Sequence, residues 1–249
     1  PGAITGAAAL SSGVVAEAVA AWWMARSYAE SVKNTAVSEE SSEMSMPMLM
    51  KFYVPLALTS FISLAVHPMA TFFLSQGRFP LESLAVLPVV NSLVFLFRSL
   101  GLSFQEVVIA FIRRSAFAGR QIKRFTWLLG CSVFLGMMAI TWTPLNHFWF
   151  LHICGLEPGL AQFAKVPAQI LVFIPALSVL LSFQRGVLVK SRATTAVTVA
   201  SIIEISLILV SLLLLVIKFN WIGVTAAAVA YIIGRLGANI YLWPRVCRN

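Results

Sequence analysis

Two long apolar stretches joined by a short basic turn constrain this chain more than any other feature. They lie in the segment 182–216, SFQRGVLVKSRATTAVTVASIIEISLILVSLLLLV, and the turn contains Arg185, Lys190 and Arg192. The second stretch has one acidic side chain, Glu204, and is too apolar for a water-facing helix and too long for a core strand. The pattern therefore indicates helices that cross a lipid bilayer.

The rest of the chain is equally apolar. Of its 249 residues, 59% are hydrophobic and 11% are charged, which leaves less polar surface than a soluble domain needs. The net charge of +9 does not indicate a nucleic-acid partner, because the basic residues occupy short turns rather than one solvated face. We predict an all-α polytopic membrane protein, surrounded by membrane lipids, with seven transmembrane helices of about 20 residues or more. They are 3–25, 51–75, 80–112, 125–148, 160–184, 193–217 and 221–243.

Basic residues gather in alternate turns between these spans. By the positive-inside rule, the basic turns, the linker after the first span and the C-terminus are predicted to be cytoplasmic. The membrane is predicted to be a bacterial inner membrane. The residues that support this orientation are Arg26, Lys33, Lys51, Arg113, Arg114, Arg120, Lys123, Arg124, Arg185, Lys190, Arg192, Arg245 and Arg248.

The chain divides at a polar segment. Residues 27–50 are rich in Ser, Glu and Met and are predicted to be a cytoplasmic linker. Residues 1–26 repeat features of the last predicted span, since Trp23 aligns with Trp243 after a shift of 220 positions. We therefore expect residues 1–26 to be the last helix of a preceding N-terminal lobe, and residues 51–249 to be a complete six-helix C-terminal lobe of a longer protein.

The third span carries the most regular polar pattern. Asn91, Arg98 and Gln105 recur every seven residues, and Ser92, Ser99 and Glu106 repeat the pattern one position later. Such spacing stacks side chains along one helix face, which predicts a polar stripe that lines a wet cavity. A cation at the midpoint of that stripe would attract an anionic substrate group. Alternatively, Arg98 is structural and is neutralised by Glu204 or Glu17.

Other ionisable groups lie inside predicted spans, where each costs about 2.5 to 3.5 kcal/mol to insert. Glu204 and Arg235 are predicted to form a buried ion pair, because consecutive antiparallel helices commonly touch. His67 is a candidate proton-coupling site, although a neutral histidine that hydrogen-bonds between helices is the favoured interpretation. The sequence contains no motif for a nucleophile, a metal ion or a cofactor, so transport is favoured over catalysis.

Several segments resemble a known family of transporters. FYVPLALTSFISLAVHPMATFFLSQG, LESLAVLPVVNSLVFLFRSLGLS and SFQRGVLVKSRATT resemble the seventh, eighth and tenth helices of the multidrug/oligosaccharidyl-lipid/polysaccharide (MOP) exporter superfamily. IKRFTWLLGCSVFLGMMAITWTP and VPAQILVFIPALSVLLSFQRGVLVKSRAT are most similar to the progressive ankylosis family, which is linked to export of small anions. The resemblance implies the C-terminal half of a MATE-like fold of two six-helix lobes.

This resemblance also implies a function. It predicts a secondary exporter that moves an anionic or amphiphilic small molecule by rocker-switch alternating access, with no enzymatic activity. A flippase for lipid-linked oligosaccharides and a cation-coupled multidrug antiporter are alternatives. The antiporter is disfavoured because segments 51–75 and 160–184, which resemble the seventh and tenth helices, contain no acidic residue. A degenerate lobe that acts as a membrane scaffold is the alternative outside transport.

Overall fold

The chain folds into helices joined by short turns. The computed structural model describes residues 2–34, 46–111, 116–191 and 193–248. The helices are α1 (Gly2–Asn34), α2 (Met46–Leu74), α3 (Pro80–Phe111), α4 (Ala116–Trp142), α5 (Leu145–Phe148), α6 (Pro158–Ile170), α7 (Phe173–Lys190), α8 (Thr194–Leu212) and α9 (Gly223–Arg248). Short π-helical segments, Trp149–Ile153 and Leu213–Lys218, follow α5 and α8.

Most of the predicted spans correspond to these helices. Among the described residues, six segments are long and apolar enough to cross a membrane: Ile4–Arg26, Pro80–Phe111, Arg120–Trp142, Pro158–Lys190, Thr194–Lys218 and Gly223–Cys247. The remaining predicted span, 51–75, lies in the single continuous helix α2 except for its last residue. The chain is an all-α polytopic membrane protein.

The helices form two compact units, Pro1–Met46 and Pro47–Asn249. The first unit contains α1, whose helix continues past the predicted boundary at residue 26 to Asn34. The linker predicted at 27–50 is therefore helical at 27–34, and its residues 46–50 belong to α2. Residues 35–45 lie outside the described part of the chain, as do Arg113, Arg114 and Arg192 of the basic turns.

Prolines set two helix ends that the sequence-based spans misplaced. α4 ends at Trp142, six residues before the predicted end at 148, because Pro144 disfavours helical geometry in the residue before it. The span predicted at 160–184 is two helices, α6 and α7, with a break at residues 171–172. Pro175 explains the break, because its ring clashes with the carbonyl of Leu171 and it has no N–H to donate.

Glycines bring the helices of the second unit into close contact. A Cβ atom added to Gly101 of α3 would lie 3.2 Å from the backbone nitrogen of Val179 in α7. Gly186 of α7 packs in the same way on Val108 of α3, and Gly234 of α9 packs on the backbone of α8. These contacts hold α3 against α7 and α8 against α9, and the space between the two helix pairs becomes the site described next.

Candidate functional site

A cavity of about 350 Å³ opens inside the second unit. It is bounded by α2, α3, the junction of α6 with α7, α7 itself, α8 and α9. The polar side chains on its wall are His67, Asn91, Ser92, Arg98, Arg185, Ser201, Glu204, Tyr231 and Arg235. The apolar ones are Val66, Val94, Phe95, Leu171, Ile174, Ile205 and Ile208.

The geometry of α8 places an acid at the centre of this wall. Ser201, Glu204, Ile205 and Ile208 follow one another at steps of three, one and three residues, which is the spacing of one helical face. All four line the cavity. The helix therefore presents Glu204 to the cavity between a serine, one turn earlier, and two isoleucines.

Glu204 contacts two arginines on two other helices. Its Oε1 atom lies 3.1 Å from Nη2 of Arg235 on α9, the pairing that the sequence predicts. Its Oε2 atom lies 3.9 Å from Nη2 of Arg185 on α7. Arg185 also donates a hydrogen bond from Nη2 to the hydroxyl of Ser201, at 3.0 Å. One carboxylate thus joins α7, α8 and α9 around the cavity.

Arg98 lies on the α3 side of the same cavity and differs from the other two arginines. Among the described residues it forms no ion pair with an acidic side chain and no hydrogen bond, and its Nε atom is buried without an acceptor. Of the two acids that the sequence offered as partners, Glu204 pairs with Arg235 and Arg185 instead. The other, Glu17, is an exposed residue of α1 in the first unit.

The cavity has an excess of positive charge. Three arginines and one glutamate line it, so its formal charge is +2 when the histidine is neutral. The Nε atoms of Arg98, Arg185 and Arg235 are all buried, and none has an acceptor among the described protein groups. Charged hydrogen-bond donors of this kind suit carboxylate, phosphate or sulfate oxygens.

The predicted polar stripe on α3 enters the cavity along only part of its length. Asn91, Ser92 and Arg98 line the cavity, whereas Gln105 and Ser99 do not. The cavity closes beyond Arg98, because Gly101 brings the α3 backbone onto α7 and the next turn is filled by buried Phe104.

The two predicted stripe residues outside the cavity have local roles. Ser99 donates its hydroxyl hydrogen bond to the carbonyl of Leu96, one turn back on the same helix. The backbone carbonyl oxygen of Gln105 faces Gly186 of α7. A Cβ atom added to Gly186 would lie 3.3 Å from that oxygen. A heptad spacing identifies side chains on one face, but only the neighbouring helix determines how far along that face a cavity extends.

His67 lies at the cavity on the α2 side, with its side chain exposed. Its backbone carbonyl accepts a hydrogen bond of 2.9 Å from the hydroxyl of Thr71. No hydrogen bond between the His67 ring and another helix is present among the described residues. The structure therefore places the ring on the wall of the cavity.

The sequence-based assignment of Arg185 to a cytoplasmic turn is corrected by the structure. Arg185 lies inside α7, which continues to Lys190, and its side chain reaches the cavity. The signal that could have identified it is the run Gly186–Val189, GVLV, because an apolar continuation after a charged residue indicates that the helix has not ended.

A second set of polar groups fixes α7 against α9 next to the arginines. Nε2 of buried Gln184 donates to the backbone carbonyl of Asn239, at 3.2 Å. Nδ2 of Asn239 donates to the carbonyls of Leu177 and Arg235, at 3.2 and 2.8 Å. Because Gln184 adjoins Arg185 and Asn239 follows Arg235 by one turn, these bonds set the separation of the two arginines that share Glu204.

Solved structures of membrane transporters share this fold. A MOP superfamily transporter from Pyrococcus furiosus, described as having a binding pocket of reverse polarity that suggests a different function, matches with a TM-score of 0.64 and 17% identity. The match covers 80% of this chain and 45% of that transporter. This chain has the fold of a MATE-like lobe. No family model matches it, and no curated protein matches it by sequence.

Two conformations of multidrug resistance MATE family transporters of the MOP superfamily also match the MATE-like lobe. The outward-facing one has a TM-score of 0.60 at 17% identity, over 80% of this chain and 45% of that one. The inward-facing one has a TM-score of 0.57 at 17% identity, over 77% and 44%. The chain therefore spans just under half the length of the transporters that it resembles.

Proposed function

We propose that this chain is one lobe of a secondary exporter that carries an anionic or amphiphilic small molecule across the membrane by alternating access. The observation that carries the proposal is the charge of the cavity, where three arginines face one glutamate. Arg98 is the group that binds the anion, because it is the cavity arginine with no acidic partner among the described residues. A half-buried cation of this kind inside a membrane lobe is costly unless a ligand uses it.

Similarity to transporters supports the proposal at the level of the fold. Relatives of the same fold occur in both outward-facing and inward-facing conformations, as alternating access requires. The chain covers 45% of the outward-facing relative, so a preceding N-terminal lobe supplies the opposite wall of the transport pathway in this proposal. Substrate reaches the arginines of this lobe when the two lobes part.

The cavity gives less support to a cation-coupled multidrug antiporter. The sequence of α2, α6 and α7 contains no aspartate or glutamate. The acid that does line the cavity, Glu204, is engaged by Arg235 and Arg185. A drug cation or a coupling cation would have to displace an arginine to reach it, and the excess of positive charge opposes that exchange.

A flippase for lipid-linked oligosaccharides is the second candidate. The sequence alone indicated two basic residues in the cavity, Arg98 and Arg235, and the structure adds a third, Arg185. Three guanidinium groups suit the phosphates that link such a sugar to its lipid. This candidate and the exporter share the cavity, so they differ only in the substrate that is moved.

Transport by the full-length protein in proteoliposomes tests both candidates. We expect flux of labelled sulfate or of small di- and tricarboxylates, and we expect Arg98→Ala to reduce it by about tenfold or more, since truncating a charged hydrogen-bond donor at a binding site costs about 2 to 5 kcal/mol. Arg120→Ala is the matched control, because Arg120 is an exposed residue of α4 outside the cavity.

The outcomes separate the candidate functions. Unchanged anion flux in Arg98→Ala contradicts the assignment of Arg98. Movement of a lipid-linked sugar without anion flux replaces the exporter with the flippase. A full-length protein that moves neither substrate supports a scaffold.

The proposed location is a bacterial inner membrane with the C-terminus in the cytoplasm. The support is the concentration of arginines and lysines in alternate turns along the sequence, including Arg120, Lys123 and Arg124 at the start of α4. A phosphatase reporter that is active only outside the cytoplasm, fused after residue 249, is expected to be inactive. An active fusion would reverse the orientation.

A further inference from the structure

We propose that Glu204 is an internal counter-anion that takes the place of the substrate in the empty cavity and so allows the unloaded transporter to return. This inference rests on the proposed function, since it assigns a role to the acid of the same anion-binding cavity. It concerns the part of the transport cycle in which no substrate is bound.

The geometry around Glu204 resembles the coordination of a bound anion. A carboxylate in the cavity receives Nη2 of Arg235 at 3.1 Å and approaches Nη2 of Arg185 at 3.9 Å, from two different helices. The side chains are largely but not completely covered, with 13% of Glu204, 10% of Arg235 and 18% of Arg185 exposed. The ion pairs are therefore accessible from the cavity, and an external anion can compete for the same donors.

The contact with Arg185 is the looser of the two. At 3.9 Å it is longer than a charge-assisted hydrogen bond, which is about 2.7 to 2.9 Å. Arg185 is held in place instead by its bond to Ser201 on α8, at 3.0 Å. An arriving anion can therefore bind Arg185 and Arg98 first, before it weakens the closer pair of Glu204 with Arg235.

Charge explains why the empty cavity needs this acid. Without Glu204, three guanidinium groups would line a cavity of about 350 Å³ with no negative charge to balance them. Inside a membrane lobe, like charges repel more strongly than in water. A bound substrate anion relieves the repulsion in the loaded state, and Glu204 relieves it when the substrate has left. Loss of Glu204 should thus trap the transporter with anion bound.

Three measurements on the full-length protein test the inference with sulfate as the probe. In Glu204→Gln we expect sulfate to bind about tenfold more tightly or better, because a neighbouring negative charge has been removed. We expect net efflux of sulfate from proteoliposomes to fall by about tenfold, since the empty return step is slowed. We expect sulfate–sulfate exchange to stay within about threefold of wild type, because exchange needs no empty return.

Matched variants separate this role from a structural one. Glu106→Gln removes an exposed acid of α3 that does not line the cavity, and it should change none of the three measurements. Glu204→Asp retains the charge and should restore net efflux relative to Glu204→Gln. If the glutamine variant fails to fold, Glu204→Asp is compared with wild type instead: its shorter side chain should slow net efflux more than exchange, and equal slowing of both would overturn the role.

The outcomes distinguish failure of this inference from failure of the proposed function. If wild type neither binds nor exchanges sulfate, the anion cavity itself is contradicted. If sulfate binding depends on Arg98 but Glu204→Gln leaves affinity and the ratio of net efflux to exchange unchanged, only the counter-anion role is overturned. An equal loss of net efflux and exchange in Glu204→Gln also overturns it, because that result indicates a structural defect.

Discussion

The two walls of the cavity carry the same kind of cation in opposite circumstances. On the α8–α9 wall, Arg235 lies 3.1 Å from the carboxylate of Glu204 and is neutralised within the protein. On the α3 wall, Arg98 has no acidic partner among the described residues. The difference teaches that the role of an arginine inside a membrane lobe depends on its neighbours rather than on its depth. The paired arginine is neutralised within the lobe, and the other is the stronger candidate for binding a ligand.

The packing of the two walls follows the same contrast. α9 approaches α8 through Gly234, so closely that an added Cβ would lie 2.7 Å from the backbone carbonyl oxygen of Glu204. α3 approaches α7 through Gly101, one turn beyond the cavity, and leaves space beside Arg98. The close approach of α8 and α9 brings Glu204 to Arg235, whereas the cavity separates Arg98 from Glu204.

The largest effect is expected when the acid of the α8–α9 wall, Glu204, is removed. Glu204→Ala should lower the free energy of unfolding by about 3 to 5 kcal/mol, because it leaves Arg235 and Arg185 buried without their acid. Arg98→Ala should not lower it, because no ion pair among the described residues is lost. Thermal unfolding of the two full-length variants in detergent gives the comparison. Equal midpoints for both variants would remove the distinction between the walls.

A smaller effect on stability is expected when α8 and α9 are forced apart. Gly234→Ala should cost about 1 to 3 kcal/mol, because the new methyl group meets the α8 backbone, which cannot move aside as a side chain can. Gly130→Ala on α4 is the matched control, since an added Cβ there meets no atom within 4 Å. The control should be neutral or stabilising by up to about 1 kcal/mol. The same unfolding measurement applies, and a stabilised Gly234→Ala variant would contradict the close approach.

The smallest expected effect is on sulfate affinity, and it tests how far the binding site extends along α3. Asn91→Leu should weaken sulfate binding by about fivefold, the equivalent of one hydrogen bond of about 1 kcal/mol, because Asn91 lines the cavity. Gln105→Leu should leave sulfate affinity unchanged, because Gln105 lies beyond the end of the cavity. Equilibrium binding of labelled sulfate to the full-length variants decides between them. Weaker binding in Gln105→Leu would extend the site along the whole predicted stripe.

Local sequence patterns predicted much of the fold but located the helix ends less well. Long apolar runs predicted the membrane helices, because a bilayer requires a minimum apolar length whatever the tertiary contacts are. The ends were misplaced at α4 and at the break between α6 and α7, where prolines act on residues before them in the chain. The run after Arg185 was assigned to a turn, although it continues α7.

The candidate site was predicted in part. Arg98, Glu204, Arg235 and His67 were selected because ionisable groups in a membrane span are costly, and the structure brings these four to one cavity. Glu17 was selected on the same ground and is instead an exposed residue of α1 in the first unit. Asn91 was selected by heptad spacing and lines the cavity. Gln105 and Ser99 were selected by heptad spacing and lie outside it. Residue spacing along one helix does not show where a neighbouring helix closes the cavity. The cavity closes at Gly101 of α3 because α7 packs against that glycine.

The amino-acid sequence alone determined that this protein is inserted in a bilayer as a bundle of helices. It also identified the polar residues whose insertion into the membrane costs enough free energy to indicate a specific role. Both follow from the free energy of moving side chains from water to lipid, which depends on composition over a short window. Only the tertiary structure decided that Arg185 belongs to the cavity, that Glu204 serves two arginines, and that Arg98 has no acidic partner among the described residues. Those outcomes depend on distances of a few ångströms between helices far apart in the chain.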